Sequence, residues 1–312
     1  MSSPATDVPY PLLERLKDDQ LPQLDHYLDA GGFAQSKMDL LEAVVRLRDS
    51  GLRRRREAGQ PIFLDWWDFS RAKQQGDLVA DARLRDPQGL AESSLLSHDP
   101  YGLIEALYLA HLVTGARRAL VLLDPSLDYM RPVLLDAMDQ LARRGIPAGR
   151  ELELKILVGD GPPPAVQSGR VRLTHCLETW YQVLRILKHP GPSPERQAQP
   201  ATRLITVGGA TARKGLVEVE LGQPLSRILD QVGGIKLDGS VKALALDSGV
   251  GGFLPADAGG LTMAPEEMMI AGVRPGFGTL YAVGPETCIV DLTRRALIRL
   301  AQLGEHPSED SR

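Results

Sequence analysis

Between Asp99 and Val158 the chain alternates helix and strand signals over short links, and this order restricts the fold more than any other feature. Asp99-Pro100 offers an N-cap with proline in the first turn, and LIEALYLAHLV continues from it to Gly115. The run RALVLLD (118–124) reads as a buried strand, YMRPVLLDAMDQLAR (129–143) as a helix stopped at Gly145, and ELELKILV (151–158) as another strand. Strands joined through a helix pair in parallel, because only a crossover of that length brings the chain back in the same direction. The expected class is therefore α/β, with a Rossmann-like α/β layer.

The flanking segments set the expected domains. Residues 1–35 are an N-terminal extension rich in Pro and Asp, with a short helical piece at Leu12–Leu16. Ser36 is expected to open a helix, with Asp39 completing a capping-box-like pair, Leu40, Leu41, Val44, Val45 and Leu47 on one side, and Gly51 as the stop. LTHCLETWYQVLRILK (173–188) reads as helical throughout, with Leu177, Trp180, Leu184 and Leu187 on one face. The Pro-rich HPGPSPERQAQPAT (189–202) reads as a linker closing an α/β domain over 36–190. A small β-rich module follows over 203–257, with RLITVGG, GLVEVEL and VKALAL as strands and PLSRILDQVG as a helix. The part over 262–304 reads as helical around one apolar strand, TLYAVG, and the final EHPSEDSR as disordered.

Composition excludes several classes. A formal net charge of −4 gives no global attraction to nucleic acid or anionic lipid. No run of ~18 apolar residues offers a membrane span, and the polar start lacks a secretory leader. Two cysteines, Cys176 and Cys288, cannot build a disulfide framework or a four-thiolate metal site. A reduced, cytoplasmic protein is expected.

Isolated constellations are weak. His175 beside Cys176 invites a nucleophile or metal reading, but no further ligands lie nearby, and a core-and-surface pair fits a helix better. Glu266-Glu267 suit a helix N-terminus, and Trp66-Trp67 suit core packing with one ring partly exposed. No Ser-His-Asp or G-x-S-x-G arrangement is present.

Longer strings carry a resemblance. LLSHDPYGLIEALYLAHLVTGARRALVLL is similar to a stretch of type HDPHxLIEGxxIAAxAxGARRAYIYI. LETWYQVLRIL matches N-N-V-E-T-L-A-N-V at Glu178 and Thr179. TVGGATARKGLVEVELGQPLSRILDQVGG looks like a β-grasp module of the SLBB type, and PEEMMIAG to TCIVDLTRRALIRLAQ looks like a C-terminal helical region. In this order, over about residues 28–305, the chain resembles the NADH-binding flavoprotein subunit of respiratory complex I and its relatives in soluble hydrogenases and formate dehydrogenases. The resemblance implies FMN and NADH in the α/β domain and an iron–sulfur cluster in the C-terminal part.

The segments that would hold those groups depart from the family. Its first flavin loop reads S-G-L-R-G-R-G-G-A-G-F-P-T-G-L-K-W, and this chain reads SGLRRRREAGQPIFLDW. Arg53, Arg55, Ala58, Gly59, Pro61, Leu64 and Trp66 match, but Arg54, Arg56, Glu57 and Phe63 replace glycines and Asp65 replaces the lysine. Glycine there lets bare main chain approach phosphate and flavin, so bulky cations fill the ligand's space and an acid repels its phosphate. Taken alone, the run is a solvated basic turn. The family's L-V-C-N-A-D-E-G-E-P-G becomes LVADARLRDPQ (78–88), losing most acidic groups; without the resemblance it reads as an exposed loop. The glycine-rich nicotinamide loop is missing, and Gly159 and Gly161 precede three prolines that offer no helix N-terminus to a phosphate. The asparagine pair is His175 and Cys176. The cluster motif H-E-S-C-G-x-C-x-P-C-R is met only by LGEHPSEDSR, and a four-iron cluster needs about four thiolates.

The reading that follows is a non-catalytic or accessory paralogue of that subunit, a structural or docking subunit of a cytoplasmic electron-transfer assembly or one peripheral to a membrane complex. Its expected partners are other redox subunits, such as a thioredoxin-fold 2Fe–2S chain or iron–sulfur subunits, without nucleic acid or direct membrane insertion. No FMN, NADH or 4Fe–4S cluster and no catalytic or metal residue is expected; Arg53, Arg55, Gly59 and Thr179 are vestigial cofactor contacts. The alternative is a diaphorase, an NADH:acceptor oxidoreductase subunit that keeps FMN and NADH by altered contacts, with the arginines on phosphate. A third reading is a sensor whose β-grasp module binds a small soluble ligand.

Overall fold

The computed structural model describes residues 11–34, 38–54, 60–72, 76–84, 86, 88–159, 171–188, 202–220, 222–236, 240–274 and 278–304. The expected opening of a helix at Ser36, the basic run from Arg55 to Gly59, the triple proline, the linker over 189–201 and the final residues lie outside these ranges. The elements in chain order are α1 (Pro11–Arg15), α2 (Leu24–Asp29), α3 (Leu40–Asp49), α4 (Ile62–Arg71), β1 (Asp77–Ala82), α5 (Ala91–His98), α6 (Pro100–Thr114), β2 (Arg118–Leu123), α7 (Met130–Arg143), α8 (Ala148–Glu151), β3 (Glu153–Val158), β4 (Arg172–Cys176) and α9 (Leu177–Lys188). They continue with β5 (Thr202–Gly209), β6 (Gly215–Glu220), α10 (Leu225–Asp230), β7 (Ala243–Leu246), β8 (Gly252–Pro255), α11 (Pro265–Ile270), β9 (Thr279–Val283) and α12 (Ile289–Gly304).

The first four strands form an all-parallel sheet in the order β3-β2-β1-β4. The helix signals hold where capping chemistry fixes them. The Asp99 carboxyl accepts from the Gly102 amide, Pro100 opens α6, and Gly115 closes it at φ +76. One face of the sheet, with Leu78, Ala80, Val121, Leu123 and Leu173, joins α3, α4, α6 and α9 in the main core around Trp66, Trp180 and Tyr181.

Four local expectations change. Asp39, expected as the second member of a capping pair, is itself the N-cap of α3, its side chain accepting from the Glu42 amide, and Leu41 is exposed because the core-facing positions are Ala43, Val44 and Leu47. The stretch 78–82, expected as an exposed loop, is the fully buried strand β1. Its two acids are neutralised locally: Arg118 donates to Asp77 and Arg83 to Asp81. The helix expected from 173 begins at Leu177, and 172–176 is β4, parallel to β1. Propensity left RLTHC undecided, and pairing with a buried strand settled it. Glu151 ends a short helix rather than starting β3.

The second sheet is mixed, in the order β6-β5-β9-β7-β8. Its central strand, β9, is the apolar strand expected within the helical segment over 262–304. Gly209 lets β5 and β9 lie together: its φ is +89, and a Cβ there would sit 2.2 Å from the Ala282 carbonyl oxygen. One side of the sheet packs around Ile205, Val207, Leu244, Leu280 and Met268. Ile289 and Leu292 of α12 pack on the other, against Ala243, Ala245 and Val283.

Candidate functional site at the carboxyl edge of the parallel sheet

In a parallel sheet whose order reverses, loops from neighbouring strands diverge and leave a crevice beyond the strand carboxyl ends. Here the reversal lies between β1 and β4, since β2 and β3 add on the other side of β1. Asp81 and Cys176 are register partners at that point. The segments singled out in the sequence converge there: the end of β1 with Arg83 and Leu84, the start of α9 with Glu178 and Thr179, and α4, which packs on β4.

The polar groups at this edge bond to one another. Arg54 donates through Nε to Asp65 Oδ2 at 2.7 Å, and its Nη2 bonds the second carboxyl oxygen. These are the positions where the resembling family has a glycine and a lysine, so the two departures form one ion pair. The loop base beside it closes through Arg54 N to Gln60 O at 2.8 Å and Ile62 N to Leu52 O at 3.1 Å. Arg83 holds Asp81 in a fork, with both donor–acceptor distances 2.8 Å. Asp124, after β2, accepts from the Leu84 amide at 3.2 Å and from Ser126.

Below this layer, Trp66 Nε1 donates to His175 Nε2 at 3.2 Å, and His175 meets Trp180 edge-on at 5.3 Å between ring centroids. His175 and Cys176 lie on a strand, so they point to opposite faces rather than 100° apart, yet both are buried. Burial holds the His175 imidazole down at about 3, and the Arg54 guanidinium adds to the shift. The sign follows from linkage: the unfolded chain protonates near pH 6.5 and the folded one does not. His175 therefore contributes stability that is complete above that pH and is lost as pH falls toward 3, at up to about 1.4 kcal/mol per pH unit. Acid titration of unfolding should show a shallower loss in His175→Gln, which keeps an acceptor for Trp66; parallel curves would contradict this.

Of the four vestigial residues, Arg55 and Gly59 lie outside the described ranges. Arg53 is exposed and bridges to Pro61, and Thr179 is buried with its hydroxyl 3.2 Å from Cys176 Sγ. The structure thus brings Thr179 to the crevice and sets the Arg53 side chain outside the core.

Sequence reading missed what the remaining acids do. Asp86 is buried and accepts from Ser248 Oγ at 2.9 and 3.0 Å, from the Thr279 hydroxyl and from Gln88 N. Glu178 accepts from Leu204 N at 2.9 Å. Both carboxyls therefore bind the second sheet to the first. The only sequence signal was the acid-proline pair in LVADARLRDPQ, which gives no partner. Among the described residues no group of three or more His, Cys, Asp and Glu could hold a metal ion. No helix among them is long and apolar enough to cross a membrane.

The architecture is that of an α/β protein with a Rossmann-like parallel sheet and a second, mixed sheet. Among solved structures it is similar to a crystal structure of an NAD+-reducing NiFe-hydrogenase in the H2-reduced state, at TM-score 0.70 and 21% identity over 93% of this chain and 53% of that one. The air-oxidised state gives TM-score 0.69 and 20% identity over the same shares. The chain spans about half the length of those it matches, and at this identity the likeness establishes fold alone. No protein-family model matches the chain.

Proposed function

We propose that this chain is a non-catalytic, accessory relative of NADH-binding flavoprotein subunits, serving as a structural or docking subunit in a cytoplasmic or membrane-peripheral electron-transfer assembly. The observation that carries this reading is the Arg54–Asp65 pair. A flavin phosphate needs exposed main-chain N–H groups and a cation at such a loop. Here the cation that replaced a glycine is held by the acid that replaced the lysine, so the pair satisfies itself. The Arg83–Asp81 fork supports the same reading, because a ribose or nicotinamide would have to displace it. Fold likeness to a hydrogenase that reduces NAD+ supports kinship with redox assemblies, whose other subunits, including iron–sulfur chains, are the proposed partners.

The test is optical. Full-length protein purified with excess FMN and then desalted should retain no flavin absorbance, and added NADH should reduce no artificial acceptor. A stoichiometric yellow preparation that turns over NADH would overturn the proposal in favour of the diaphorase.

A further inference from the structure

Among the described strands, β3 ends the parallel sheet and is paired on one side only, with β2. Glu153 N donates to Arg117 O at 2.8 Å, and Gly159 N donates to Leu123 O at 3.0 Å. Backbone groups alternate in direction along a strand. The odd-numbered residues therefore face β2, and Leu154, Ile156 and Val158 turn their N–H and C=O outward. The side chains of those three are half-buried against the helix layer. On that layer α8 packs against α7 at Met138 and Ala142, and Leu135, 48% exposed, continues that side of the helix. The edge thus presents free backbone groups beside apolar side chains that a further strand would cover.

The charges on β3 indicate which strand fits. A lysine on an edge strand ordinarily discourages pairing. Lys155 has that position, but Glu153 stands two residues before it on the same face, with both side chains exposed and 2.9 Å apart. Two copies of β3 can pair antiparallel about a twofold axis only where outward residues oppose outward residues. Centred on Leu154, Glu153 of each copy lies opposite Lys155 of the other. Centred on Lys155, the two lysines face each other. Centred on Ile156, Lys155 meets Leu157 and Glu153 meets Gly159. Opposite charges directly across a strand pair stabilise it and like charges destabilise it. The edge charges therefore select one register of self-pairing instead of opposing all of them. Each charge keeps its neighbour along the strand and gains an opposite charge across it, so the four alternate in sign.

We propose that the edge strand β3 docks a second copy of this chain, antiparallel and centred on Leu154, so that the two four-stranded sheets become one and each Glu153 pairs with the Lys155 across from it. Few side chains take part, so the contact belongs at the small, reversible end of specific interfaces, with a Kd of about micromolar. It goes beyond the accessory role and does not depend on it.

Sedimentation velocity of the full chain at low salt, over about 1–100 µM, reads the association. The unaltered chain should be a dimer that dissociates on dilution. Lys155→Glu sets acid against acid at both crossings and should weaken the dimer at least about tenfold, and Glu153→Lys, which sets cation against cation, should do the same. The two single variants mixed together should associate as a heterodimer, because every crossing then joins opposite charges. The double exchange Glu153→Lys with Lys155→Glu should restore the homodimer. Circular dichroism confirms that the variants fold, as expected for exposed positions. A monomer at every concentration, a dimer indifferent to Lys155→Glu, or single variants that stay apart when mixed would overturn the proposal. A flavin-loaded preparation sinks the accessory reading and leaves the sedimentation result standing.

Discussion

Replacing Glu105 with alanine lowers the unfolding free energy by about 3–5 kcal/mol, the cost of leaving buried partners of a charge network uncompensated. Glu105 lies on α6 with no solvent exposure. It accepts from Tyr27 OH at 2.5 Å and from Phe33 N at 2.7 Å, and Lys188 Nζ lies 2.9 Å away. Lys188 also donates to the Gly31 carbonyl at 2.8 Å. Phe33 sits at φ +54, a conformation unfavourable for a side chain of that size, and Glu105 takes up the N–H it presents. Removing the carboxyl thus frees three donors and the turn that holds residues 31–33. Glu105→Gln keeps an acceptor and loses less. Denaturant midpoints at unchanged m-value measure both, and a Glu105→Ala loss under about 1 kcal/mol would contradict the reading.

The second large effect is at Asp86. Asp86→Ala removes the acceptor shared by Ser248, Thr279 and Gln88 and costs about 2–4 kcal/mol, since a buried hydroxyl, a half-buried hydroxyl and an amide lose their partner. Asp247 and Ser248, at φ +50 and +51, form the turn that presents Ser248. The damage should be local to the seam between the sheets. Amide exchange at Leu90, bonded to Thr206 Oγ1, and at Leu204, bonded to Glu178, should accelerate by at least about tenfold. Exchange in α6, which does not cross the seam, should hardly change. Uniform acceleration would mean that Asp86 supports the whole fold rather than the seam.

What was legible in the sequence follows from interactions a few residues long. Asp99, Pro100 and Gly115 bounded α6 because capping is satisfied by the first and last turns themselves. The face of Leu177, Trp180, Leu184 and Leu187 was visible because its period survives in any packing, and all four are buried. Strands β1 and β4 were missed for the converse reason. DLVADA carries an acid at each end of its apolar stretch, and Arg118 and Arg83, which pair with those acids in the core, are not marked as their partners by the sequence. RLTHC has no strong local preference until β1 lies beside it.

The candidate site divides the same way. The lost glycines and the exchanged lysine could be read directly. That Arg54 and Asp65 meet, that Arg83 folds back on Asp81, and that Asp86 and Glu178 hold the second sheet could not.

The sequence by itself determined the α/β class, the ends of α6, the low cysteine count and the replacement of glycines by charged residues, because each is fixed by composition or by neighbours along the chain. Tertiary structure alone decided which charge answers which, where β9 enters its sheet and how the two sheets are joined. Apart from the Arg83–Asp81 fork, whose members are two residues apart, those depend on groups from 11 to 193 residues apart, and electrostatic and hydrogen-bond partners at such separations leave no periodic trace in the chain.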